Sequence, residues 1–386
     1  MAKDAFSLYI HIPYCVSKCP YCDFNSHVVA AIPEQSYADA LLRELEHYGN
    51  AGDWRGRTAQ SIFFGGGTPS TFQPQTIGKL LAWAAATFPI DAGCEITLEA
   101  NPGTVDSDKF FGYRDAGVNR ISVGVQSFQP KLLEFLGRIH SADEARRALE
   151  TVKRAQFENF SLDLIYANPG QTLADLETDL EIALEIQPPH LSAYNLTFEE
   201  GTPFHREHRA GKMTSLGEDE EIAMAELIER KLKRAGLQRY EISNYARPDC
   251  HSRHNVNYWR GGDYLGLGAG AHSYLRNADG VTGRRWSNEK NPARYMARVD
   301  RTAPGVVEHE EIGRARAIGE FLFLGLRLTE GIGTNAFYRR FGKFPWEIYP
   351  RIKDWIEGDL LAVKQGHLRL TKKGLLVANS IFVEFM

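Results

Sequence analysis

The chain has 386 residues, 43% hydrophobic and 24% charged, with a formal charge of −4. That is the balance of a globular protein exceeding one ordinary domain, so one large domain plus one small one is expected. The charge argues against a polyanionic partner, and no apolar run reaches the roughly 18 residues that a membrane span needs.

Met1-Ala2-Lys3-Asp4 leads into an alternating segment instead of a signal-peptide core. Phe6–His11 (FSLYIH) reads as a first strand from its β-branched and aromatic content. The loop after it holds Cys15, Cys19 and Cys22 in the spacing C-x3-C-x2-C. Thiolates this dense outside a disulfide-built miniprotein hold a soft metal centre. Structural zinc takes four protein ligands and a 4Fe–4S cube has four irons, so three cysteines leave one position open. A Cys3His zinc site completed by His11 or His27 is the alternative. The two remaining cysteines are Cys94, which reads as a buried small hydrophobe, and Cys250. This cysteine usage suits a reducing, cytoplasmic compartment.

A strand–helix alternation follows. Tyr37, Ala40, Leu41, Leu45 and Tyr48 recur at helical spacing from about Gln35. Ser61–Phe64, Glu95–Glu99, Arg120–Val125, Phe160–Leu164 and Leu191–Leu196 read as strands two to six. Helices are expected from Thr76, around Phe110-Phe111, after the capping box beginning at Ser141, and over Leu173–Ile186. Six β/α units predict a parallel sheet with helices outside.

In parallel barrels the functional residues lie just past the C-terminal strand ends. Those ends carry the cysteine loop, then Gly65-Gly66-Gly67-Thr68-Pro69, then Glu99 with Asn101-Pro102-Gly103, then Gln126, and Asp163 at the fifth. Arg138 follows shortly after the fourth. Missing side chains in the glycine run let backbone N–H groups approach a ligand closely.

The loop resembles the cluster loop of the radical S-adenosylmethionine (SAM) superfamily, including an aromatic, Tyr21, before the last cysteine. The resemblance runs from Tyr9 to the C-terminus. It implies a partial (β/α)6 barrel and a 4Fe–4S cluster on Cys15, Cys19 and Cys22, with SAM chelating the fourth iron. It further implies that Tyr9 and Gly66-Gly67-Thr68 touch the methionine end of SAM, Gly66 and Gly67 through backbone groups. By the same resemblance Glu99 accepts hydrogen bonds from SAM's amino group or ribose, and Gln126, Arg138 and Asp163 surround the nucleoside. An ordinary surface ion pair is the alternative for Arg138 and Asp163.

The similarity is greatest to the branch holding oxygen-independent coproporphyrinogen III oxidase and the heme chaperones. The oxidase carries a further cysteine two residues after the third ligand; here that position is Phe24. Asp23-Phe24-Asn25-Ser26-His27 instead matches the chaperones, as does His254-Asn255-Val256-Asn257-Tyr258-Trp259. An imidazole beside large aromatics suits a flat macrocycle with a coordinating metal. His254 is the expected heme ligand, with His251, Cys250 and His272 as alternatives.

Asn288 to about Glu308 is polar and reads as a connection between domains. Beyond it, helices are expected around Phe321–Leu328, Thr334–Phe341 and Trp346–Glu357, then a hairpin about Gln365-Gly366 and a last helix from Lys373. This is a small α+β, winged-helix-like domain, yet residues 306–386 hold 12 Lys/Arg against 10 Asp/Glu, a poor surface for nucleic acid. The expected organisation is a barrel with cluster and SAM site over 1–210, an extension with the HNVNYW segment and linker over 211–300, and the C-terminal domain over 301–386.

The resemblance therefore implies a chaperone that binds a 4Fe–4S cluster, SAM and heme and passes heme to an acceptor protein. Oxygen-independent coproporphyrinogen oxidase is the alternative activity. A reduced flavodoxin or ferredoxin-type electron donor fits either, and peripheral membrane association stays open.

Overall fold

The structure is a computed structural model that describes residues 5–302 and 304–386; the Met1–Asp4 stretch lies outside the described residues. Strand β1 (Ala5–Ile12) is followed by α1 (Glu34–Asn50), β2 (Thr58–Gly66), α2 (Pro74–Thr87), β3 (Ile90–Ala100) and α3 (Ser107–Asp115). Then come β4 (Arg120–Gln126), α4 (Pro130–Phe135), α5 (Ala142–Arg154), β5 (Asn159–Tyr166), α6 (Leu173–Glu185) and β6 (His190–Asn195). The six strands pair in parallel in chain order, as the six strand–helix units require. The apolar stripe of α1 (Tyr37, Leu41, Leu45 and Tyr48) is buried in the same core as Leu8 and Ile10 of β1. At the start of α5, Ser141 Oγ accepts from the Glu144 N–H at 3.2 Å and Glu144 accepts from the Ser141 N–H at 2.7 Å. This reciprocal cap satisfies helix-end donors that would otherwise be orphaned.

The sheet stays open. After α7 (Pro203–Arg209) and α8 (Glu218–Arg234), β7 (Gln238–Arg239) and β8 (Asn244–Ala246) extend it antiparallel beyond β6. Past α9 (Arg253–Trp259), strand β9 (Tyr264–Leu267) pairs in parallel with the other edge of β1. Strands β10 (His272–Arg276), β11 (Gly283–Asn288) and β12 (Val306–Ile312) continue antiparallel, giving the order β12-β11-β10-β9-β1-β2-β3-β4-β5-β6-β8-β7. The partial barrel is thus framed on both flanks.

The stretch 288–308 is not a connection. It holds α10 (Pro292–Thr302) and the start of β12. Its polar composition reflects a helix that buries Pro292, Tyr295 and Val299 and exposes Ala293, Arg294, Ala297 and Arg298.

The C-terminal part comprises α11 (Arg314–Gly325), β13 (Ile332–Gly333), α12 (Thr334–Phe341), α13 (Pro345–Ile348), α14 (Arg351–Glu357), β14 (Leu361–Lys364), β15 (His367–Leu370), α15 (Lys372–Leu376) and α16 (Ala378–Phe382). Leu322, Phe337, Ile352 and Leu368 centre its own apolar cluster beside a three-stranded sheet. Trp346–Glu357, expected as one helix, is interrupted at Tyr349-Pro350, where proline biases the preceding residue away from helical backbone. The hairpin turns through Gln365 (φ 52°) and Gly366 (φ 75°), both left-handed, as a tight two-residue turn requires. Thr329 N–H donates to Tyr240 O at 3.0 Å, and Arg327 stacks 4.4 Å from the Trp259 ring, joining this part to the barrel. Among the described residues no helix is long and apolar enough to cross a membrane.

Candidate cofactor site

The cysteine loop begins where β1 ends, and two backbone tethers hold it. The Gly67 N–H donates to Ile12 O at 2.8 Å and the Thr68 N–H to Tyr14 O at 2.8 Å. A Cβ on Gly67 would lie 2.8 Å from Tyr14 O, and one on Gly66 (φ +117°) 2.6 Å from the His11 ring. Only glycine permits this approach. The Gly67 N–H, expected to face a ligand, is therefore spent on the loop, whereas Gly66 borders the large cavity described below.

Donors converge on the sulfurs. Thr68 Oγ1 donates to Cys15 Sγ at 3.3 Å. Arg138 Nη1 donates to Cys19 Sγ at 3.4 Å and to the Tyr21 hydroxyl at 3.4 Å, while Nη2 holds Gly124 O at 2.9 Å. Burial pushes the Cys15 and Cys22 thiols up from their ordinary value. Arg138 Nε is buried without a partner. Asp163 sits apart, accepting from Ser122 Oγ at 3.2 Å and Ser161 Oγ at 3.3 Å, so no Arg138–Asp163 ion pair occurs among the described residues. Gln126 ends β4 in left-handed backbone (φ 70°).

Among the described residues no three His, Cys, Asp or Glu side chains gather closely enough to hold a single metal ion. His11, a candidate fourth zinc ligand, has both ring nitrogens engaged, Nδ1 with the Tyr9 hydroxyl at 3.0 Å and Nε2 with Asn25 O at 2.8 Å. A cluster takes one thiolate per iron and therefore asks for more widely spread sulfurs. Three thiols on one loop, hydrogen-bond donors aimed at two of them and an unpartnered guanidinium nitrogen alongside fit such an anionic group.

Beside the loop opens a cavity of about 1450 Å³, bounded by the barrel on one side and the C-terminal part on the other. Tyr9, Gly66 and Glu99 line its barrel wall. Glu99 is half-buried, with the Gly66 backbone as hydrogen-bond partner; burial, then the neighbouring Asp163, pushes its carboxyl up to about 8. Tyr258 and Trp259 form a further stretch of its wall with Phe321 and Phe323, and Phe24, 62% exposed, stands at the loop side.

His254 is not on this wall. It is 1% exposed, its Nδ1 shares a hydrogen bond with Ser61 Oγ at 3.0 Å, and its Nε2 meets the Tyr258 hydroxyl at 2.9 Å. Burial lowers its pKa to about 3. In this arrangement the expected heme ligand His254 is a neutral core imidazole with both ring nitrogens engaged, and it fixes Tyr258. Of its alternatives only His272 lines the cavity, where it is exposed. His251 stacks on Tyr240 at 4.2 Å, away from it, and Cys250 is not on the wall.

Sequence reasoning missed two contributors. Asn25 Nδ2 donates to Ala269 O and Lys290 O, both at 2.9 Å, tying the cysteine loop to the flanking strands. Arg340, from α12, reaches the cavity from the C-terminal part. Arg340 carries no local signal, and the Asp23–His27 match marked Asn25 without its tether, because both roles depend on contacts distant in sequence.

An open barrel of six parallel strands with three cysteines past the first defines a radical SAM protein. The radical SAM superfamily model matches residues 9–183 and the HemN C-terminal domain model residues 314–377. The heme chaperone HemW of Escherichia coli (strain K12) is 38% identical over 98% of this chain and 98% of its own. That of Bacillus subtilis (strain 168) is 34% identical over 98% of this chain and 99% of its own. The chain belongs to the HemW family. Among solved structures, coproporphyrinogen III oxidase (HemN) from Escherichia coli matches with a TM-score of 0.83 over 99% of this chain and 90% of that one. At 23% identity this likeness shows the fold alone.

Proposed function

We propose that this protein is a heme chaperone: it binds a 4Fe–4S cluster, SAM and heme, and hands heme to an acceptor protein. The observation that carries the reading is one cavity that joins Tyr9, Gly66 and Glu99 to Tyr258 and Trp259 of the HNVNYW segment. Cys15, Cys19 and Cys22 hold the cluster, with Thr68 and Arg138 supporting two sulfurs. Tyr9, Gly66 and Glu99 meet SAM on the cavity side. Tyr21, Gly67, Thr68, Gln126, Arg138 and Asp163 shape its surroundings.

When bound, the cluster and SAM supply one-electron chemistry, for which a reduced flavodoxin or ferredoxin-type protein is the expected donor. The chain's own residues hold and shield. Tyr258 and Trp259 present aromatic faces to a macrocycle, His254 keeps the Tyr258 hydroxyl in place, and His272 offers an imidazole. Phe24 puts a ring where oxidase chemistry would want a thiol. In this reading residues 1–210 carry cluster and SAM, 211–300 bring the aromatic wall, and 301–386 close the cavity. The protein works in the cytoplasm, without a nucleic-acid partner.

Anaerobic reconstitution followed by heme titration tests the reading. A Soret band saturating at a fixed heme-to-protein ratio, with no turnover of coproporphyrinogen, is the expected result. Protein with an intact cluster that takes up no heme and decarboxylates coproporphyrinogen would be an oxidase instead.

A further inference from the structure

The cavity wall formed by β11 and the C-terminal part has a cationic flank, and its arginines differ in how they are satisfied. Arg285 pairs with Glu320 at 2.6 Å, and Arg316 bonds Glu320 at 2.9 Å and also Glu310. Arg340 has no carboxylate within ion-pair distance among the described residues. Its guanidinium lies against the rings of Phe321 and Phe341, 4.9 and 5.1 Å away, with the Tyr274 hydroxyl as a hydrogen-bond partner and Nε buried and unpartnered. Of the acids that face it, Asp263 is already taken by Arg57 at 2.5 Å and by the Arg276 N–H at 3.0 Å, and Asp279 by the Thr282 hydroxyl at 2.7 Å and the Val281 N–H at 2.8 Å. Arg276 adds a second positive charge nearby.

An arginine cannot shed its proton, and a partly buried charge with no counter-ion is costly to keep. Its aromatic seat fixes the fork in one orientation, which suits a planar carboxylate. We propose that Arg340 anchors a carboxylate of the ligand in this cavity, so that a flat macrocycle lies along Trp259 and Phe321 with one acidic side chain on α12. This rests on the heme reading above, since heme carries two propionates. It gives the C-terminal domain a direct part in recognition: the ligand bridges barrel and small domain.

The test is titration of the cluster-loaded full chain with heme and with its dimethyl ester, followed by absorption. Wild type and Arg351→Gln, an exposed control, should bind heme alike. Arg340→Gln should bind heme about tenfold or more weakly, the scale of one charge-assisted bond, and bind the ester as wild type does. Arg340→Lys should recover part of the loss. Unchanged heme affinity in Arg340→Gln, or equal loss of heme and ester, would overturn the anchor. Wild-type protein binding neither compound would overturn the heme reading itself, and the anchor with it.

Discussion

Arg138 donates to the sulfur of Cys19 at 3.4 Å although the two lie 119 residues apart in sequence. The contact joins the loop after β1 to the segment after α4, so the barrel's curvature brings a cation to the cysteine loop. The same guanidinium holds Tyr21 and Gly124 O, which fixes it in place.

Arg138→Gln removes that charge while keeping a polar side chain. The cluster should still assemble, because the three thiolates remain. Its reduction potential should fall by tens of millivolts, since hydrogen bonds and positive charge at the sulfurs favour the reduced form. A potentiometric titration followed by electron paramagnetic resonance measures it, and an unchanged potential would place Arg138 outside the cluster's influence.

The three loop cysteines should behave alike and unlike the other two. Cys15→Ser, Cys19→Ser and Cys22→Ser should each lose the cluster, because two anchored irons hold a cube weakly. Cys94→Ser and Cys250→Ser should keep iron and sulfide content at the wild-type level; depletion in either would show that the ligands are misassigned.

SAM affinity should depend on pH through Glu99, whose carboxyl burial and Asp163 push up to about 8. A raised value favours the protonated form in the fold. That contribution to stability is complete below the ordinary value of 4.5 and fades as pH rises through about 8. A cationic ligand selects the ionised form, so wild-type affinity should rise between pH 6 and pH 9. Glu99→Gln should weaken binding about tenfold and flatten the profile. Calorimetry showing the same pH slope in the variant would remove Glu99 from the site.

His254 and His272 should separate in the heme spectrum. Loss of an axial ligand moves the Soret band, whereas loss of a wall support lowers occupancy at an unmoved band. His272→Ala should shift the band; His254→Ala should lower heme uptake through Tyr258 and leave the band where it was. The reverse pattern would mean that the buried ring turns out to meet the iron.

Glu44 is a stability test away from the cofactors. Fully buried, it accepts from Tyr295 at 2.6 Å, Asn288 at 2.8 Å, the Gly268 N–H at 2.9 Å and the Gly305 N–H at 3.3 Å. It thereby pins α10 and the flanking strands to α1. Glu44→Ala strands three buried donors, Asn288 keeping Gly268 O, and should cost about 3–5 kcal/mol in urea unfolding, with Glu44→Gln costing less. A loss below about 1 kcal/mol in the alanine variant would show the network to be dispensable.

The sequence by itself determined the elements whose cause is local. β-branched and aromatic runs marked β1 to β6, helical spacing marked the helices between them except α4, Ser141 and Glu144 marked the start of α5, and C-x3-C-x2-C marked the cysteine loop. What only the tertiary structure decided depends on contacts far apart along the chain. The polar run 288–308 shows no sign of being α10 and an edge strand until α1 and β11 cover it. Nothing local shows that His254 is buried with Ser61, nearly two hundred residues away, on one of its nitrogens. Arg340 stands among aromatics that read as ordinary core until α11 and α12 bring it to the cavity. Burial and hydrogen-bond satisfaction are properties of the packed chain, and they decide whether an imidazole or a guanidinium is free to bind.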